Sequence, residues 1–129
     1  MARYLLDTDT LIDYSNGHAP TVALVKGLYQ DGHRLGVCCI NITEFYSGLA
    51  EIDRDKARRF LDAMEYFEVS REAARRAGEY RYLYAVKGIQ LSATDAITAA
   101  TVVEHGATLV TGNASHYPME EVSLLRLPM

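Results

Sequence analysis

Apolar positions along this chain alternate between short unbroken runs and longer stretches that repeat every three to four residues. Arg3 to Leu6 is a short apolar run ending at Asp7, and Leu35 to Ile40 is a second ending at Asn41. Such runs predict buried strands of a parallel sheet. Leu109 to Thr111 predicts another, Tyr66 to Val69 a short one, and Ser123 to Leu127 an edge strand before Pro128. Between them lie helical patterns. Thr10 to Ser15 predicts a short helix stopped by Asn16-Gly17; Pro20 opens a second that Asp31-Gly32 closes. Thr43 to Ala50 and Asp53 to Glu65 read as two consecutive helices, the start of a helical arm beside the sheet. Ser70 caps a long helix whose Ala73, Ala77, Tyr80 and Tyr84 share one face until Gly88 stops it. Thr94 to His105 is the last helix, closed by Gly106. Alternating strands and helices predict an α/β fold with a mainly parallel sheet covered on both faces.

Composition narrows the class without naming a function. A length of 129 residues suits a single domain spanning 1–129, and a chain of this size needs neither disulfide nor metal merely to fold. At 49% hydrophobic and 23% charged, it has the balance of an ordinary globular protein. Adjacent Cys38 and Cys39 sit in an apolar run, which predicts buried thiols in a reducing, cytoplasmic setting. No apolar stretch approaches the roughly 18 residues of a membrane span, and no signal peptide is evident.

The net charge of −4 argues against a general nucleic-acid coat, but the distribution is uneven. Nine of the 13 basic residues lie between Arg54 and Lys87, interleaved with seven acids from Asp53 to Glu79. That pattern reads either as a solvated mixed-charge helix surface or as an arginine-lined rim beside an acidic site.

Three acids carry the candidate chemistry. Asp7 ends the first strand, where ligands bind in open α/β sheets. Glu44 follows the second strand, and Asp95 opens the last helix. Three ionised carboxylates in one place raise one another's pKa, and a bound cation reverses that penalty. Hard oxygen ligands suit Mg²⁺ or Mn²⁺ rather than zinc, and such an ion fits phosphodiester hydrolysis by a metal-activated water.

Each acid also has a plain structural role. Asn41-x-x-Glu44 has a capping-box pattern, and Asp95 lies three after Ser92 and favours a helix N-terminus. Asp9 reads as a supporting residue that orients the site, and Asp13 as surface. His18, His33, His105 and His116 lack zinc-type spacing. A second enzyme reading comes from Asp7-Thr-Asp9-Thr-Leu11, which resembles the haloacid-dehalogenase-type phosphatase motif. There Asp7 would be the covalent nucleophile and Asp9 the acid/base.

Four segments in order carry a broader resemblance: Leu5-Leu-Asp-Thr-Asp-Thr-Leu-Ile12, Thr43-Glu-Phe-Tyr-Ser-Gly-Leu49, Asp95-Ala-Ile-Thr-Ala-Ala100 and Glu104-His-Gly-Ala-Thr-Leu-Val-Thr-Gly-Asn113. Together they resemble the PIN-domain ribonucleases, and within them the VapC-type toxins of prokaryotic toxin–antitoxin pairs. The resemblance implies a three-layer α/β/α sandwich with about five mainly parallel strands. It also implies Mg²⁺- or Mn²⁺-dependent endoribonuclease activity, a cognate small VapB-like antitoxin and a homodimer. Asp7, Glu44 and Asp95 match the family's three principal acids, with Glu44 and Asp95 equally open as the group that steers water. Thr8 matches the hydroxyl after the first acid, and Thr111 joins it and Asp9 as a supporting position. The fourth acidic position departs from the pattern: the turn carries Asn113, a neutral amide ligand at best, and His116. That substitution leaves room for a catalytically degenerate PIN-like binding module. Arg58, Arg59, Arg75, Arg76 and Arg81 are candidates for RNA or antitoxin contact.

Overall fold

The computed structural model describes residues 1–128. Five strands form one sheet: β1 (Arg3–Leu6), β2 (Arg34–Val37), β3 (Glu65–Tyr66), β4 (Thr108–Thr111) and β5 (Leu124–Arg126). Six helices accompany them: α1 (Thr8–Ser15), α2 (Ala19–Gln30), α3 (Cys39–Ser47), α4 (Arg54–Asp62), α5 (Arg71–Val86) and α6 (Ala93–Glu104). The strand order is β3-β2-β1-β4-β5, and every pairing is parallel.

Successive strand residues point to opposite faces, and the core divides accordingly. Leu5 and Leu109 pack with Ala73, Ala77 and Tyr80 of α5 and with Ala96, Ala99 and Ala100 of α6. Leu6, Val37 and Val110 pack with Leu11 of α1, Val25 of α2, Phe45 of α3 and Leu61 of α4. The three-layer α/β/α sandwich is therefore the observed architecture. The expected helical arm is not one body, because α4 and α5 cover opposite faces of the sheet.

Several boundaries differ from the apolar pattern, and the helix expected over Thr43 to Ala50 runs instead from Cys39 to Ser47. The second strand stops at Val37, not Ile40, because extended Cys38 is the N-cap of α3. Asn41 is then the third helical residue, and its side-chain oxygen accepts from the Cys38 N–H at 3.0 Å. It caps backwards onto Cys38 instead of forward onto Glu44. The helix expected from Asp53 to Glu65 ends at Asp62, and Glu65 joins β3 opposite Gly36. A Cβ on Gly36 would lie 2.7 Å from the Glu65 carbonyl oxygen, so this close approach needs glycine. The third strand thus lies at Glu65–Tyr66 instead of Tyr66–Val69.

The topology also locates the site. The chain builds outward from β1 through β2 to β3, then crosses through α5 and α6 to build β4 and β5 on the other side. The reversal opens a crevice at the carboxyl ends of β1 and β4, the switch point where open α/β sheets bind ligands. Asp7 and Gly112 leave those two strand ends. No helix of the described residues is long and apolar enough to cross a membrane.

Candidate active site

Asp7 is the N-cap of α1 and is 8% exposed. A carboxylate this buried is costly unless hydrogen-bonded. Its Oδ1 accepts from the Thr8 N–H at 2.9 Å; its Oδ2 accepts from the Thr111 hydroxyl and the Tyr117 phenol, each at 2.9 Å. Asp95 comes from the other side of the crevice. Ser92 caps α6 by accepting from the Asp95 N–H at 3.1 Å, so the capping role falls to the serine. The Asp95 carboxylate is left to face the site: Oδ1 is 3.2 Å from the Tyr117 hydroxyl, and Oδ2 is 3.3 Å from His116 Nδ1. Glu44 projects from α3, and its Oε1 accepts from the Thr8 hydroxyl at 2.7 Å.

Asp9 organises the turn after β4. Its Oδ1 accepts from the Thr10 N–H, and its Oδ2 accepts from the Gly112 N–H at 2.7 Å and the Asn113 side-chain amide at 3.1 Å. Burial, followed by the neighbouring charge of Asp7, holds its carboxyl above the usual carboxylate range. Thr111 completes the turn, its hydroxyl oxygen accepting from the Asn113 N–H at 3.0 Å while the same hydroxyl donates to Asp7.

Asp7 and Asp95 therefore share one phenol, and Glu44 joins Asp7 through Thr8. Asn113 is directed to Asp9; with its nitrogen engaged there, only Oδ1 remains to face a cation. Among the described residues, no three His, Cys, Asp or Glu side chains close around one point. Two facing carboxylates, with water filling the other positions, still form an all-oxygen donor set suited to Mg²⁺, which usually keeps several waters. The residues fit such an ion through Asp7 and Asp95, with Glu44 beside them.

Among the described residues, none of the five candidate arginines pairs with Asp7, Glu44 or Asp95. Arg58 and Arg75 pair with Asp55 and Glu72 on their own helices. Arg59 lies in the last turn of α4, and Arg76 lies beside Tyr80 and Glu121. Arg81 comes nearest in sequence terms, donating from Nε to the Leu91 carbonyl just before α6. A cavity of about 960 Å³ opens elsewhere, between α2, β2 and α4, with Tyr14, Tyr29, Phe60 and Met64 in its wall.

Tyr117 is the site residue that the sequence pattern misses; its neighbour His116 stands in the turn already singled out at the fourth acidic position. Tyr117 belongs to no acidic or glycine-rich motif and has no periodic partner to mark its burial. Its one sequence cue is its place at the end of the turn after β4. Burial, then the charges of Asp7 and Asp95, push the Tyr117 phenol upward, so it stays a protonated donor.

Comparison with known proteins adds family context. The family model described as PIN domain matches residues 4–121. The chain is 25% identical over 115 residues to Ribonuclease VapC19 of Mycobacterium tuberculosis, covering 89% of this chain and 92% of the relative. A chain in the crystal structure of VapBC2 from Rickettsia felis, bound to a promoter DNA fragment, superposes with a TM-score of 0.83 at 22% identity. That match covers 98% of this chain and 99% of the other. A chain of DNA-bound VapBC from Salmonella typhimurium gives the same TM-score and identity, with 98% of each chain covered.

Proposed function

The chain belongs to the PIN-domain family, and from that premise we propose that it is a divalent-metal-dependent endoribonuclease of the VapC toxin type. The observation that carries this reading is the meeting of Asp7 and Asp95 on one hydroxyl at the switch-point crevice. The likeness to Ribonuclease VapC19 points to RNA as the substrate.

Asp7 and Asp95 would hold Mg²⁺ or Mn²⁺. A bound ion lowers the pKa of a water and offsets charge on a phosphoryl oxygen. The protein's own groups supply the rest. Thr111 and the Thr8 N–H orient Asp7. Asp95 is engaged by Tyr117 and His116, which leaves exposed Glu44, tethered by Thr8, as the carboxylate free to steer or deprotonate a water. Asp9 holds the Gly112–Asn113 turn that walls the crevice.

The VapBC names of the structural neighbours support a VapB-like antitoxin as partner, and a homodimer is the assembly proposed with it. Cys38 is buried as expected while Cys39 is only half-buried, and a cytoplasmic setting is part of the same proposal. The phosphatase reading loses its acid/base, since Asp9 Oδ1 is taken by the Thr10 N–H of its own helix and Oδ2 pins the Gly112–Asn113 turn. A PIN-like binding module without catalysis is the second reading, favoured by Asn113 and by the lack of a closed three-residue cluster among the described residues.

Purified, partner-free protein incubated with total cellular RNA in Mg²⁺ or in EDTA separates these. We expect discrete, EDTA-sensitive cuts that Asp7→Asn and Asp95→Asn each reduce by about a hundredfold or more. Unchanged cutting by Asp95→Asn sinks the site assignment; intact RNA together with no Mn²⁺ binding establishes the binding module instead.

A further inference from the structure

Tyr117 lies outside every motif of the sequence, yet its side chain reaches the centre of the acidic site. It is 3% exposed, and its hydroxyl lies 2.9 Å from Asp7 Oδ2 and 3.2 Å from Asp95 Oδ1. Buried tyrosines commonly hydrogen-bond a single partner. Here both partners are carboxylates, from elements on either side of the crevice. One phenol carries one proton, so it donates to one acid at a time and keeps the other within contact distance.

The ring is anchored independently of these contacts. It packs in the core cluster with Tyr80, Leu91, Ala96 and Met119. Its backbone N–H donates to the Ala114 carbonyl, and the next residue, Pro118, accepts from the Tyr84 hydroxyl. The hydroxyl is therefore a fixed point against which both carboxylates are set. A phenylalanine would preserve nearly all of this packing and delete only that point.

We propose that Tyr117 is a positioning residue, whose hydroxyl holds Asp7 and Asp95 at the separation and rotation at which they share one divalent cation. The inference rests on the metal-dependent reading above. Groups that orient metal ligands through hydrogen bonds commonly change affinity by about 10- to 100-fold when removed. Tyr117 is such a group for two ligands at once.

The test measures Mn²⁺ binding to the full chain from the electron paramagnetic resonance signal of free Mn²⁺, alongside thermal melting in EDTA. Wild type, Tyr117→Phe, Tyr117→Met and Asp7→Asn are compared. We expect Tyr117→Phe to stay folded, its melting temperature lowered only by the loss of one hydrogen bond to a carboxylate, while its Mn²⁺ affinity falls about tenfold or more. A merely structural tyrosine would move the melting temperature and leave the affinity of the folded protein alone. Equal or tighter Mn²⁺ binding by folded Tyr117→Phe or Tyr117→Met overturns the inference and leaves the metal reading standing. Absence of Mn²⁺ binding by wild type overturns both. Failure of both Tyr117 variants to fold assigns the residue to the core and overturns the positioning role.

Discussion

At the scale of single residues, the site is a chain of hydroxyls placed between acids. Thr8 links Glu44 to the Asp7 loop, Thr111 links Asp7 to the Asn113 backbone, and Tyr117 links Asp7 to Asp95. Hydroxyls suit this work because each donates and accepts, so they satisfy a buried carboxylate without neutralising it. Thr111→Val keeps the shape and removes both bonds. We expect it to cost about 1.5–3 kcal/mol, the usual range for a hydrogen bond to a charged group, read from urea midpoints. RNA cleavage should fall in the same variant, because Asp7 and the Asn113 turn lose their common support. An unchanged urea midpoint would show that the Thr111 hydroxyl carries no net load.

At the scale of elements, helix starts and strand spacing aim the acids. Ser92 satisfies the Asp95 N–H and so leaves the Asp95 side chain for the site. Ser92→Ala should cost about 1 kcal/mol as a lost N-cap and should reduce cleavage by loosening the first turn of α6. Preserved cleavage would mean that Tyr117 and His116 hold Asp95 without the cap. On β2, next to β1, Gly36→Ala puts a methyl 2.7 Å from the Glu65 carbonyl and 3.0 Å from the Phe67 ring. Overpacking against backbone is relieved only by moving β3, so we expect about 1–3 kcal/mol of destabilisation by thermal or urea unfolding. The added methyl meets Glu65 and Phe67 and not Asp7, so the variant should keep its cleavage chemistry once folded.

At the scale of the whole molecule, two buried phenols couple the fold to alkaline pH. Burial, then the bond to Glu121, pushes Tyr80 from 10.0 up to about 12, and Tyr117 moves in the same direction. The folded state thus holds protons that the unfolded state releases above its own pKa. Stability is full below pH 10 and declines as pH rises toward 12. Urea midpoints measured from pH 9 to pH 11.5 should fall, and Tyr80→Phe should flatten part of that slope. A midpoint independent of pH across this window would contradict the shift.

Much of this molecule is legible in one dimension, and the remainder is not for identifiable reasons. The alternating runs, the Ser70 and Ser92 caps and the acid ending β1 are local signals, because propensity, capping and strand burial act over a few residues. They determined the fold class, the long α5 helix and the positions of Asp7 and Asp95. The end of β2 was hidden because an apolar run does not distinguish a strand from a buried helix start. The backward cap of Asn41 onto Cys38 decided it.

The distant partners of the acids are set by tertiary structure. Thr111 and Tyr117 lie 104 and 110 positions from Asp7, and no periodicity relates residues so far apart. Only the crossover that lays β4 beside β1 brings them together. The sequence by itself determined which acids are available; the switch-point topology decided which two face one another and which hydroxyl stands between them.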